Sequence, residues 1–174
     1  DIIYTALCNT CDILEQLSCR YFISGGTLLG ARRDGDIIAH DVDFDIDCLA
    51  EDEKCILDAA DLFMLRGLKI ERKYIKSARN FETLELSSSP KYSSCLTVLY
   101  CGEHIGDISI YTIFDDGIAR RFDFEDGVYS NPKMSLPCWY YSGDTFLELR
   151  GRAFRSVREP ELVLEKTYGA DWRT

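Results

Sequence analysis

Four aspartates at every second position, Asp41, Asp43, Asp45 and Asp47, constrain this chain more than any other stretch of its sequence. The residues between them, Val42, Phe44 and Ile46, are apolar. A period of two is that of a β-strand with one buried face. Residues 41–48 are therefore expected to form a strand that buries the apolar set and projects all four acids from the other side. Aspartate is among the poorest strand formers. Like charges two positions apart on a strand are about 7 Å from each other, a repulsion of roughly 0.6 kcal/mol in water and several times more when partly buried. A merely solvated face would mix Lys, Thr and Ser with the acids, whereas a stack of aspartates calls for a cation. An EF-hand calcium loop is disfavoured, because it needs Gly at its sixth position, where this chain has Ile46.

A glycine pair precedes the acids. Tyr21, Phe22 and Ile23 read as the body of a short strand over 19–24, which Gly25-Gly26 ends. Helical character resumes at Thr27 and runs to Arg33, so the glycines are expected at a strand-to-helix turn. Backbone N–H groups at such a turn point past the strand end, and a helix N-terminus favours anions. Glycine lets a phosphate approach without a side chain in the way. Sixteen residues separate Gly26 from Asp43. A glycine turn followed at this distance by a D-x-D strand is the pattern of the nucleotidyltransferase fold, in which a phosphate-holding turn lies beside a metal-binding strand. Arg32 and Arg33 are candidate phosphate clamps, since a guanidinium can bind phosphate in a bidentate way. Both also suit the C-terminal end of a helix, where cations are favourable.

The alternating run Gly106-Asp107-Ile108-Ser109-Ile110-Tyr111 offers a further acid. If its strand runs beside the first, Asp107 completes a three-carboxylate site with Asp43 and Asp45. Carboxylate oxygens suit Mg²⁺ or Mn²⁺, which can also hold the phosphates of a donor.

The remaining chain supports this segment. Apolar residues three or four apart over 2–19 predict a helix, and those over 51–65 a second one that Gly67 stops. Strands are expected over 69–74, 81–87, 94–101 and 104–114, with the last two joined as a hairpin at Gly102-Glu103. Residues 118–147 carry no clear period. A short strand is expected over 154–157, and a helix from Pro160 to Tyr168 capped by Gly169. No repeat or linker interrupts the chain. We expect one α/β (α+β) domain over residues 1–174, a mixed sheet flanked by helices, which can belong to a longer chain.

Composition narrows the partners. The 174 residues suffice for one core. A net charge of -10 argues against nucleic acid and against a simple electrostatic dock on anionic lipid. No apolar run reaches the length that spans a bilayer, and no signal peptide is visible. Several of the eight cysteines fall within apolar helix or strand patterns, so mostly reduced thiols are expected rather than a disulfide framework. Cys8-x-x-Cys11 has neither a second such pair nor a histidine at zinc-finger spacing.

The run GGTLLGARRDGDIIAHDVDFDID resembles the LicD family, which includes the fukutin-type proteins. Gly26-Thr27-Leu28-Leu29-Gly30-Ala31, Arg33 and the acids Asp41, Asp43 and Asp45 match the family pattern. The run GDISIYTIF matches its second acidic strand at Asp107, and Phe154 to Trp172 its closing segment. Asp34 stands where a histidine is usual, and Ala39-His40 replaces Pro-Trp. The resemblance implies a phosphotransferase that moves a phospho-alcohol, such as phosphocholine or ribitol or glycerol phosphate, from a CDP-activated donor to a glycan hydroxyl. It implies Mg²⁺ or Mn²⁺ on Asp43 and Asp45, with Asp107 as third ligand or general base and Asp41 secondary. Gly25, Gly26, Thr27 and Arg33 would hold the donor's phosphates. A bacterial or viral protein of this kind would work in the cytoplasm or on the cytoplasmic face of a membrane, and a fukutin-type eukaryotic one in the Golgi lumen.

Three alternatives share parts of the pattern: a D-x-D glycosyltransferase using a sugar nucleotide, a nucleotidyltransferase, and a non-catalytic domain that binds metal or glycan. His40 and His104 are expected to be polar neighbours, the latter in the hairpin turn. Trp139-Tyr140-Tyr141 can stack on a base or sugar but fits packing better. Trp172 is expected to anchor the last helix.

Overall fold

A computed structural model of the chain describes residues 1–72, 95–121 and 135–174. The strand expected over 81–87 lies outside them. Helix α1 (Ile2–Gln16) opens the chain, with the Asp1 carboxylate accepting the N–H of Ile3. Strand β1 (Tyr21–Ile23) leads through Ser24 into α2 (Gly25–Arg33), and β2 (Phe44–Leu49) follows. The expected helix over 51–65 is three pieces, a 3-10 turn (Ala50–Asp52), α3 (Glu53–Asp58) and α4 (Ala60–Leu65). The break falls at Ala59, whose backbone leaves the helical region at φ -90°, ψ 16°. Then come β3 (Leu68–Arg72), β4 (Cys95–Tyr100), β5 (Glu103–Ile113) and the short β6 (Ile118–Arg120) and β7 (Leu136–Pro137). A 3-10 turn (Cys138–Tyr141) precedes the hairpin β8 (Thr145–Leu149) and β9 (Arg152–Ser156), and α5 (Pro160–Tyr168) follows. Strand β8 was not expected, because exposed Phe146 and Glu148 alternate there with only one fully buried residue, Leu149.

The sheet runs β3-β4-β5-β2-β1-β9-β8, with β6 and β7 continuing from β5. Its centre is mixed. β2 and β5 are parallel, β1 is antiparallel to β2, and Ile23 of β1 pairs parallel with Ser156 of β9. Strands β1 and β2 are buried along most of their length, with Tyr21, Phe22, Ile23, Phe44, Ile46 and Cys48 all 2% exposed or less. Helix α1 covers one face through Leu7, Cys11 and Leu14. Helices α2 and α5 lie against each other, joined by an ion pair between Arg32 and Glu161. Trp172 is buried beyond α5, as expected of an anchor. No disulfide links the cysteines.

Register across β2 and β5 is set by a close contact. Phe44 faces Gly106, and a Cβ added to Gly106 would lie 2.4 Å from the Phe44 ring. Gly106→Ala is therefore expected to lower stability by about 1–3 kcal/mol through overpacking. Equilibrium urea unfolding measures this, and an unchanged midpoint would refute the contact.

Candidate active site

The acids do not form one solvated strand face. Regular pairing begins at Phe44, so Asp41 and Asp43 precede β2. Asp41 belongs to a turn in which its N–H is donated to the carbonyl of Ile38. Val42, expected in the core, is 73% exposed. The alternation breaks here because Asp41 folds over the start of α2, its carboxylate beside Gly26, instead of extending the ladder.

Asp45 joins β2 to α2. The N–H of Gly26 donates to its Oδ2 at 2.9 Å, and its own N–H donates to the Thr27 hydroxyl oxygen at 2.9 Å. Its carbonyl accepts the N–H of Ser24 at 3.1 Å. A carboxylate at a helix N-terminus is favourable in itself. The contact requires the glycines. Gly25 has φ +49°, and a Cβ there would lie 2.3 Å from Asp45 Oδ2, while one on Gly26 would lie 2.5 Å from Asp41 Oδ2. The pair was expected to clear space for a donor's phosphates, and in this structure it clears space for the protein's own acids. Thr27 is 1% exposed and ties the two elements together, so its side chain faces the protein interior.

Asp107 arrives where the spacing suggested. β5 runs parallel beside β2, with Asp45 opposite Asp107. Neighbouring strands are about 4.8 Å apart, so the two carboxylates share a face at close range. The Thr97 hydroxyl donates to Asp107 Oδ1 at 3.1 Å.

His104 was read as a turn residue and stands instead among the acids. Its Nδ1 is 3.6 Å from Asp43 Oδ2, and its Nε2 is 3.2 Å from Asp107 Oδ1. In a regular strand, residues three apart point to opposite faces. Between β4 and β5 the register slips, with Val98 opposite Gly106 and Leu99 opposite His104, leaving Ile105 as the extra residue of a bulge. The bulge turns His104 onto the face of Asp107. Period-two reasoning could not find it. The residue type beside an acidic strand was the only available signal.

Ligand atoms of Asp43, His104 and Asp107 all lie within 4.8 Å of one another, close enough to share one metal ion. Among the described residues, no Lys or Arg forms an ion pair with Asp41, Asp43, Asp45 or Asp107. An uncompensated oxygen-rich set with one imidazole suits a divalent cation. Burial raises the pKa of Asp45 to about 6. The Gly26 N–H opposes that rise, and the charges of Asp43, Asp107 and Asp41 add to it.

Asp47 shares the face of Asp45 but is buried. It is 5% exposed, and Tyr141 donates its hydroxyl to Oδ2 at 3.2 Å. Burial raises its pKa to about 7, against the lowering influence of Ser24, Arg121 and Tyr141. Ser24, Asp45, Asp47, Ser109, Arg121 and Thr167 line part of a small cavity of about 50 Å³ behind the glycine turn. Tyr168, at the end of α5, is raised in pKa first by burial and then by the charges of Asp45 and Asp41, which puts the C-terminal helix beside the acids. Arg33 does not join this group. It sits at the far end of α2, about 12 Å along the axis from Gly25, and its guanidinium is held by Asp34. His40 is exposed. Trp139 is 40% exposed and stacks on Tyr140 at 3.9 Å.

This arrangement, a glycine-started helix against a mixed sheet with acids from two parallel neighbours, is that of the nucleotidyltransferase fold. The chain superposes on the lincomycin-bound lincosamide antibiotic adenylyltransferase LnuA with a TM-score of 0.54 at 18% identity, covering 97% of this chain and 96% of that one. Residues 18–100 match the family described as LicD/FKTN/FKRP, nucleotidyltransferase domain, and that match places them in the LicD-type family. The chain is also 29% identical over 152 residues to the uncharacterized protein W02B3.4 of Caenorhabditis elegans. That alignment covers 87% of this chain and 36% of the nematode protein. Among the described residues, no helix is long and apolar enough to cross a membrane.

The buried acids have a consequence for pH. Asp47 and Asp45 hold protons more tightly folded than unfolded, so between about pH 4 and pH 7 the folded state binds more protons and stability falls as pH rises. In chelator, the melting temperature is expected to drop over that window. Asp47→Asn is expected to flatten the drop, and an equally steep profile in the variant would refute the assignment.

Proposed function

We propose that this chain is a LicD-type phosphotransferase that moves a phospho-alcohol from a CDP-activated donor to a glycan hydroxyl and releases CMP. The observation that carries this reading is the convergence of Asp45 on β2, Asp107 on the parallel β5 and Asp43 just before β2, beside the start of α2, where among the described residues no Lys or Arg is paired to them. Such a site is built to receive phosphates together with a divalent ion. Family membership of residues 18–100 supports the choice of chemistry.

In the reaction, the glycan hydroxyl oxygen bonds to the phosphorus that carries the alcohol. The bond from that phosphorus to the bridging oxygen breaks, and CMP leaves with the electron pair. The hydroxyl proton passes to a carboxylate oxygen that the ion leaves free, for which Asp107 is the candidate. A bound Mg²⁺ or Mn²⁺ would neutralise the donor's phosphates and lower the pKa of the attacking hydroxyl. Asp45, fixed by Gly26 and Thr27, sets the position of the other acids. Its second oxygen remains available to the site.

Incubation with CDP-choline, CDP-ribitol or CDP-glycerol, Mn²⁺ or Mg²⁺ and a glycan acceptor is expected to release CMP and label the glycan with phosphorus from the donor. Asp43→Asn and Asp107→Asn are each expected to lower turnover by at least about a hundredfold while the protein stays folded. Transfer of the nucleotide half instead would make the chain a nucleotidyltransferase. Wild-type turnover in either variant would overturn the site.

A further inference from the structure

We propose that His104 is a metal ligand, so that the ion is held by Asp43, His104 and Asp107 with one nitrogen donor, and that the site consequently selects Mn²⁺ or a similar first-row transition ion over Mg²⁺. This rests on the reading of the acids as a metal site, and it adds to that reading a donor atom that an all-carboxylate set lacks.

Three observations support it. The first is geometric. The imidazole has one nitrogen toward each of two carboxylates, 3.6 Å from Asp43 and 3.2 Å from Asp107, and one donor atom from each residue falls within a 4.8 Å group. The second is the bulge. Without the slip at Ile105, the residue at 104 would point away from Asp107, so the backbone departs from a regular ladder at the position that brings an imidazole to the acids. Bulges of this kind re-aim side chains beside active sites. The third is the commitment of Asp45. One of its oxygens accepts the Gly26 N–H and its own N–H is donated to Thr27, so it is less free than the other two acids to close round an ion. Asp43, His104 and Asp107 remain partly exposed, with side chains 29%, 39% and 21% accessible, so an ion can reach them from solvent.

The choice of ion follows from the donor set. Mg²⁺ strongly prefers oxygen and keeps much of its water, whereas imidazole suits transition ions. Two carboxylates with one imidazole therefore shift the balance toward Mn²⁺ and its heavier neighbours.

The test loads the metal-free protein with Mn²⁺ in the absence of any nucleotide. Electron spin-echo spectroscopy of the Mn²⁺ complex is expected to show ¹⁴N modulation from a directly bound imidazole. Titration calorimetry is expected to give Mn²⁺ an affinity at least about tenfold above Mg²⁺. His104→Ala should remove the nitrogen signal and cost at least about tenfold in Mn²⁺ affinity with little change for Mg²⁺. His104→Gln, which keeps a polar side chain, should behave like His104→Ala. Mn²⁺ bound without a nitrogen signal, or equal Mn²⁺ affinity in the wild type and His104→Ala, would overturn the proposal while leaving the carboxylate site intact. Circular dichroism of both variants checks that they are folded. Because no donor is present, the outcome is independent of whether CDP-alcohols prove to be substrates.

Discussion

Asp45 is the point on which the rest of the structure turns. Its backbone belongs to β2, its N–H reaches the Thr27 hydroxyl, its carbonyl receives Ser24, and its carboxylate receives Gly26. These bonds lock α2 to the centre of the sheet at one end. They also fix the neighbouring positions. With Asp45 held, its partner across the parallel pair must be Asp107, and the chain before it must bring Asp41 over the helix start. The carboxylates are thereby collected at one place by backbone constraints, against their mutual repulsion.

That repulsion is left largely uncompensated. Arg32 binds Glu161 and Arg33 binds Asp34, so the two arginines nearest in sequence are used elsewhere. Elsewhere on the surface, pairs such as Arg120 with Asp116 and Arg152 with Asp12 are common. The contrast is local. Among the described residues, surface acids pair readily, yet these lie beside one another with an imidazole between two of them, which retains negative potential at the site. Low-dielectric walls from β1, β2 and β5 strengthen that potential.

Much of this was legible in the residues. The buried triplet Tyr21–Ile23, the glycine pair and the alternation from Phe44 onward define β1, α2 and β2, because burial imposes its period directly on the sequence. The pairing with Asp107 followed from a second alternating run, and the family match, which ends at residue 100, does not extend to it. What could not be read depends on contacts between distant segments. The burial of Asp47 involves Tyr141, ninety-four residues away. The exposure of Val42 follows from the turn at Asp41, and the position of His104 follows from one extra residue against β4. A bulge leaves no mark in a hydrophobic pattern, since Ile105 and Gly106 are both buried. The glycines show the same limit. Sequence shows that space is needed at Gly25 and Gly26, and only coordinates show what occupies it.

The single parallel pair between Ile23 and Ser156 has its own bearing on how the chain is assembled. It means that the strand leading into the glycine turn is flanked by one neighbour from the first third of the sequence and one from the last. The aspartates of the first segment are made before the wall that closes on Asp45 and Asp47 from the other side, which includes α5 beyond β9. The acids on β2 therefore gain that side of their surroundings only when β9 and α5 have followed them out of the ribosome.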